Sequence, residues 1–406
     1  MNTRREFMKG GAAALALPWL HGCRTADAVG SPYAGWRPGE MDIHFIHTGV
    51  GEQTFFVFPD GTTMLLDCGY VAKRRPGYAE VIPPLPSGSL RGGEWVARYL
   101  KRVTDRREID YVMVSHWHDD HVMGLPDVAK EFTFRNWFDH QFPQVGAYRR
   151  DADPDALRFA REFVPAARAK GMKAEPFAVG AVDQIALVHG GAADFEIRNL
   201  AANCTVADGK GGARDLAKAH LAATKEKGIQ ENMLSSAIRI RYGAFTYYTG
   251  GDVEKTVIGE DGRKIDLEGL VGAACGPVTV CKTNHHAFWN AMQAPFVREI
   301  QAKAYLSSVW SPGQVSDRNL PIITSRELYP GDRTIFHGFM PIGKAEEYAG
   351  RPFVRDFAPA TGHAVVKVAP GGAVARIHVL DATDESMRGL YVQDVPTCRC
   401  KGEANG

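Results

Sequence analysis

The sequence predicts a mixed α/β fold that carries its chemistry at strand ends. Three observations support this. Short segments rich in β-formers alternate with amphipathic stretches through most of the 406 residues. The run 109–114 is apolar or nearly so throughout, as a strand buried on both faces must be. Asp67, the segment His116–His121, Asp252 and the pair His285-His286 each lie just past the end of a predicted strand, where α/β sheets gather their ligands.

In chain order, residues 42–47, 53–58 and 63–67 read as a meander, with Asp60-Gly61 as the turn signal between the last two. Residues 70–92 hold Pro, Gly and Arg and read as a long loop. From Glu94 to Arg102, the positions of Trp95, Val96, Tyr99 and Leu100 have helical spacing. The strand 109–114 runs directly into Ser115-His116-Trp117-His118-Asp119-Asp120-His121. Residues 154–170 read as a second amphipathic helix, and 204–231 as an insertion with a short helix. Residues 237–242 and 244–249 form a hairpin aimed at Asp252, and 279–282 a short strand ending at Asn284-His285-His286. Late strands are expected near 303–309, 333–337, 363–369 and 374–380, with residues 291–385 completing the second sheet. The aromatic residues of 132–150 (Phe132, Phe134, Trp137, Phe138, Phe142, Tyr148) and Trp289 suit either the core or a lid over the site.

Composition narrows the function class. With 45% hydrophobic and 23% charged residues the chain is ordinary globular protein, long enough for one large domain or two average ones. Lys and Arg (48) nearly balance Asp and Glu (47), which argues against a partner as anionic as long nucleic acid.

The N-terminus reads as an address. Thr3-Arg4-Arg5-Glu6-Phe7-Met8-Lys9 precedes an apolar stretch, 10–20, too short to cross a bilayer core of roughly 30 Å. A basic start and a short apolar region mark a secretory signal, and the paired arginines resemble a twin-arginine signal, which exports folded proteins. Leu20-His21-Gly22-Cys23 resembles a lipoprotein cleavage box with Cys23 as the lipidated residue, although His21 is unusual there. The expected organisation is a signal peptide at 1–22, a linker at 23–40, one domain at 41–385 and a polar, Cys-containing tail at 386–406, in the periplasm or cell envelope. Membrane attachment is expected only through Cys23. Apart from Cys23, six cysteines remain (Cys68, Cys204, Cys275, Cys281, Cys398, Cys400) whose pairing spacing cannot define. No Cys-x-x-Cys pair occurs, which argues against a structural zinc knuckle.

The chemistry concentrates at 116–121, where three imidazoles and two carboxylates fall within six residues. Alternate residues at a strand end point the same way, so His116 and His118 can share one ion, while Asp120 and His121 face a second. Asp119 is left as a solvated or capping residue. Imidazole and carboxylate suit zinc, manganese or iron, as one or two ions.

His116-x-His118-x-Asp120-His121 resembles the hexad of the metallo-β-lactamase superfamily. The resemblance extends over about 42–290: Asp67 matches the carboxylate that supports the metal loop, Thr249-Gly250-Gly251-Asp252 the bridging Asp, and His286 the final His. It implies an αββα sandwich with the metals at one sheet edge. It also implies a hydrolase using a metal-bound hydroxide, with His116, His118, Asp120, His121, Asp252 and His286 as ligands and Asp67 behind them. Asp120 and His285 are the catalytic candidates, and His285 would orient His286 or meet the leaving group. The stretch Asn232…Lys282…His285-His286 resembles a narrower branch, that of competence-protein hydrolase domains and choline-phosphate esterases. That branch implies a phosphodiester substrate, small or in the envelope, with Asn232 and Lys282 as substrate contacts. Acyl substrates (lactam, lactone or thioester) and a non-hydrolytic metal-binding envelope protein are the alternatives. One departure stands out. The interval that supplies a further His to the first metal offers His140, His189 and His220, none in the family context, with His189 the best of the three.

Overall fold

The computed structural model describes residues 29–397 except 142, 145–150, 226 and 255. The signal segment, Cys23, Cys398 and Cys400 lie outside the described residues. Nineteen strands occur among the described residues. The first six are β1 (Met41–Phe45), β2 (Thr54–Val57), β3 (Thr63–Leu66), β4 (Glu108–Val114), β5 (Thr133–Asp139) and β6 (Lys173–Pro176). Next come β7 (Phe195–Ala202), β8 (Thr205–Ala207), β9 (Ala213–Asp215), β10 (Ala237–Tyr242), β11 (Phe245–Thr249) and the hairpin β12 (Thr256–Ile258) and β13 (Lys264–Asp266). Then follow β14 (Val280–Lys282), β15 (Ala304–Ser307), β16 (Thr334–His337), β17 (His363–Val368), β18 (Ala375–Leu380) and β19 (Gly389–Val395). Five helices matter here: α1 (Gly92–Val103), α2 (Asp119–Val122), α3 (Pro154–Arg168), α4 (Leu267–Cys275) and α5 (Ala294–Ile300).

Strand alternation builds the layers. Successive side chains of a strand face opposite sides. On β4, Tyr111 and Met113 enter the core between the sheets, while Val112 and Val114 face the core under α1 and α3. On β11, Tyr247 faces the other sheet and Tyr248 faces α4 and α5. Nine strands form one sheet in the order β19-β18-β17-β1-β2-β3-β4-β5-β6, and eight form the other, β16-β15-β14-β11-β10-β7-β8-β9. Apolar residues of both sheets, among them Ile43, Phe56, Met64, Ile238, Ile240 and Leu306, share the middle core. The architecture is an αββα sandwich.

Parallel pairing places the functional segments. β3, β4 and β5 run parallel in the first sheet, and β11, β14 and β15 in the second. Their carboxyl ends deliver Asp67, the 116–121 segment, Asp252 and His285-His286 to one edge of the sandwich.

Several expectations need correction. The 132–150 stretch is not a lid over 133–139: β5 lies inside the first sheet, with Phe134 and Trp137 packed on Phe163 of α3. Phe142 and Tyr148 lie outside the described residues. β17 and β18 join the first sheet beside β1 rather than the second. The domain does not stop at 385, because β19 pairs with β18 along its length. Nor are residues 29–40 a free linker. Tyr33 donates to Asp42 at 2.6 Å, and Lys367 donates to the Gly35 carbonyl at 2.8 Å. Cys68, Cys204 and Cys281 carry buried free thiols. No helix among the described residues is long and apolar enough to cross a membrane.

A chain ending at Met387 should fold less stably. It loses Val392 and Val395, each about 4% exposed, from the packed sheet, a loss of roughly 3 kcal/mol or more. Denaturant unfolding of the truncated chain tests this, and an unchanged midpoint would show that β19 adds nothing.

Candidate metal centre

The centre is built on loops that need close backbone approach. Gly69 follows Asp67-Cys68, and a Cβ there would lie 1.6 Å from the Asp120 carbonyl oxygen. Gly251 precedes Asp252 at φ 52°, and a Cβ there would lie 2.6 Å from the Ser115 side chain. Gly69 lets two loops of the first sheet meet, and Gly251 lets the second sheet's loop meet the first sheet's.

Two donor sets share Asp252. Asp120, His121, Asp252 and His286 form one, and His116, His118 and Asp252 the other, with the ligand atoms of each set within 4.8 Å of one another. In the first set His286 Nε2 lies 3.0 Å from Asp120 Oδ2 and 3.4 Å from Asp252 Oδ2. His121 Nε2 lies 3.2 Å from Asp252 Oδ1. In the second, His116 Nε2 lies 3.1 Å from His118 Nδ1 and 3.9 Å from Asp252 Oδ2. All are buried except His118, which is partly exposed.

The hydrogen bonds behind the imidazoles fix their tautomers. Asp67 accepts from Ser115 N and Ser115 Oγ, each at 2.7 Å, and lies 2.8 Å from His121 Nδ1. An ionised carboxylate only accepts, so His121 carries its proton on Nδ1. The Ser115 hydroxyl proton goes to Asp67, so the Ser115 oxygen, 3.0 Å from His116 Nδ1, accepts from that ring. Ser308 donates to Glu52 Oε2 at 2.6 Å, and its oxygen lies 2.5 Å from His286 Nδ1. Each ring thus turns a bare Nε2 inward, the arrangement of supported metal ligands. The Nε2 atoms of His121 and His286 face each other at 3.3 Å. Two lone pairs so close require a cation or a proton between them, and the donor set therefore fits a divalent metal ion.

Electrostatics agree. Burial alone would lower His286, but Asp252, Asp120 and Glu52 outweigh it and raise it to about 10. His121 rises in the same way, mainly through Asp252 and Asp120. Burial opposes the charge on Asp120, yet His121 and His286 hold it at about 2. His116, lowered by burial and by His121, stays neutral. The pocket is thus arranged to keep two carboxylates ionised beside positive charge.

The structure redistributes some expected roles. Lys282 is fully buried and meets no solvent. Its ammonium lies 2.8 Å from Glu52 and donates to the Gly251 carbonyl at 2.6 Å. It therefore supports the Asp252 loop instead of reaching substrate. Asn232 is 9% exposed, and its amide nitrogen lies 3.3 Å from His285 Nε2, which itself lies 3.7 Å from Asp252 Oδ2. His285 stands beside the donor sets and outside them, 19% exposed. His189 is not a ligand: its Nε2 lies 3.0 Å from both Asp110 oxygens, at the far end of β4 from His116 and thus roughly 20 Å away. His140 lies 2.9 Å from Glu231, and His220 accepts from Ile258 N. Asp119 opens α2 without capping it and accepts from Asp120 N.

Residues not assigned from the sequence also serve the centre. Glu52, Ser308 and Ser115 orient the rings. Trp310 donates through Nε1 to Asp120 Oδ2 at 2.8 Å. Glu231, fully buried, accepts from Trp117 N between the two ligands His116 and His118. The Gly49-Val50-Gly51-Glu52 turn after β1 was the one available signal for Glu52.

Lys282→Met should destabilise the metal-free protein by about 3–5 kcal/mol, because it leaves Glu52 charged and buried without its cation. Adding Glu52→Gln should recover much of that loss. Denaturant unfolding of the single and double variants checks this, and additive losses would show the pair to be uncoupled.

Comparison with known proteins accords with this geometry. Residues 47–167 match the model of the metallo-beta-lactamase superfamily. No curated protein matches the chain significantly. Similar solved structures include a CmlA beta-hydroxylase mutant, 11% identical over 74% of this chain and 53% of that one, with a TM-score of 0.39. This chain thus spans about half of the hydroxylase. Another is a new diphosphatase from the PhnP family, 9% identical over 81% of this chain and 97% of that one, with a TM-score of 0.35. Residues 47–167 thus match a metallo-beta-lactamase superfamily domain, and that match, the αββα sandwich and the two donor sets support a metal-dependent hydrolase.

Proposed function

We propose that this protein hydrolyses a phosphodiester, with zinc, or else manganese or iron, as its metal. The observation that carries the reading is the pair of adjacent donor sets joined through Asp252. Bound divalent ions supply Lewis acidity, acidify water near neutral pH and offset charge on both the attacking and leaving oxygens of an in-line displacement. His116, His118 and Asp252 would hold one ion, and Asp120, His121, Asp252 and His286 the other.

The chain's own groups do the rest. Asp67, Ser115, Ser308 and Glu52 hold the imidazoles in one tautomer and one orientation. Trp310 holds Asp120 through Oδ2. His285, lowered chiefly by burial, is neutral beside Asp252 and partly open to solvent. It is the group best placed to manage a proton at a leaving oxygen, with Asn232 fixing its ring. The resemblance of the 232–286 stretch to phosphodiester-cleaving relatives, and the near-neutral charge, favour a small or envelope-linked diester over long nucleic acid.

Bis(p-nitrophenyl) phosphate should be turned over by the chain from Arg24 onward with zinc or manganese added. Asp120→Ala should cut the rate by about 100-fold or more and lower metal content while the fold persists. Equal turnover in that variant would sink the site assignment. Absence of turnover in the metal-loaded wild type would redirect the reading to acyl substrates.

We also propose delivery to the cell envelope through the Arg4-Arg5 signal, with lipid at Cys23. Replacing both arginines with lysine should hold the protein inside the cell. Unchanged envelope delivery, measured by fractionation, would count against the twin-arginine route.

A further inference from the structure

The segment that presents the final ligand is strained. His285, His286 and Ala287 occupy the left-handed region at φ 44°, 50° and 55°, and Met292 follows at 54°. None is glycine, so the surroundings must over-determine this path. Two fully or nearly fully buried side chains do so. Asn319 donates to the carbonyls of Phe288 and Ala291 at 2.5 and 2.7 Å. Glu268, on α4 and outside both donor sets, accepts from three donors of the same segment. Met292 N and Asn284 Nδ2 reach its Oε1 at 2.6 and 3.0 Å, and Gln293 N reaches Oε2 at 2.9 Å. Asn284 is fixed in turn by Tyr248, whose hydroxyl donates to its Oδ1 at 3.0 Å.

We propose that Glu268 is a positioning residue for the metal centre: its carboxyl group holds residues 284–293 in the strained path that turns His286 toward Asp120 and Asp252. A buried acidic side chain is a costly way to secure a loop. Burial raises Glu268 to about 8 against three hydrogen bonds that favour its charge. An amide cannot replace it. Gln at 268 would keep one acceptor oxygen but turn an N–H toward the Gln293 or Met292 N–H, two donors face to face. The inference rests on the metal-centre reading above, so its test separates the two.

The full-length Glu268→Gln variant is compared with wild type in three measurements. These are thermal unfolding, amide exchange across 284–293 in the metal-free protein, and Co2+ binding followed by visible absorption. The expected result is a cooperative melt, amide exchange about 10-fold faster at Met292 and Gln293, Co2+ bound about 10-fold more weakly, and an altered d–d band. Tyr248→Phe, which frees Asn284 by removing the donor to its Oδ1, should move exchange and Co2+ affinity the same way by a smaller factor. It decides the matter if Glu268→Gln fails to fold. Unchanged exchange and spectrum in the folded variants would overturn the proposal, as would faster exchange with Co2+ affinity and spectrum intact. Wild-type protein that binds no Co2+ would sink the metal-centre reading itself, and the positioning role with it.

Discussion

The structure depends on keeping Asp252 ionised inside the protein. It is 2% exposed, with the imidazole nitrogens of His121, His286, His285 and His116 within 3.2–3.9 Å. An isolated carboxylate would not survive there charged. Every neighbouring device serves that condition. Lys282 brings a buried cation behind the loop, Glu52 holds the lysine and, through Ser308, turns His286, and Asp67 and Ser115 turn His121 and His116. The groups behind the ligands form a connected network of donors and acceptors, and such networks fail as units when one partner is lost.

Much of this was legible in the sequence. The 109–114 run predicted a strand buried on both faces, and β4 is that strand. The hexad, Asp67, Asp252 and His286 were visible because they sit in short motifs at the ends of strands that periodicity identifies. What stayed hidden depends on distance in the chain. Ser308 lies 22 residues beyond His286 in an unmarked Ser-Ser pair, and Glu52 reaches it from 256 residues away, from the connection between the antiparallel strands β1 and β2 of the other sheet. Lys282 looked like a substrate contact because Lys is normally solvated, and only the packing of β14 between β11 and β15 encloses it. β5 was ambiguous for another reason: its aromatic residues suit a lid as well as a core, and the decision came from α3, which covers Phe134 and Trp137.

Local strain and tertiary support divide along the same line. The left-handed backbone at His285, His286 and Ala287 costs on the order of 1–2 kcal/mol per residue relative to ordinary conformations. No local propensity predicts it. It exists because Glu268, Asn319 and the Gly251 carbonyl, which accepts from His285 N at 3.2 Å, hold the path from outside.

The donor sets also join the two halves of the sandwich. His116, His118, Asp120 and His121 hang from the first sheet, whereas Asp252 and His286 hang from the second. An ion held by both would fasten the sheets across an interface otherwise secured by apolar packing and by a few polar bonds such as Lys282 to Glu52. It closes a chain loop from His121 to His286, 165 residues long, whose closure entropy grows only with the logarithm of that length. Such a link acts as a reversible staple. The sheets cannot part without giving up the ion, so its binding free energy adds directly to the resistance of the whole sandwich to unfolding.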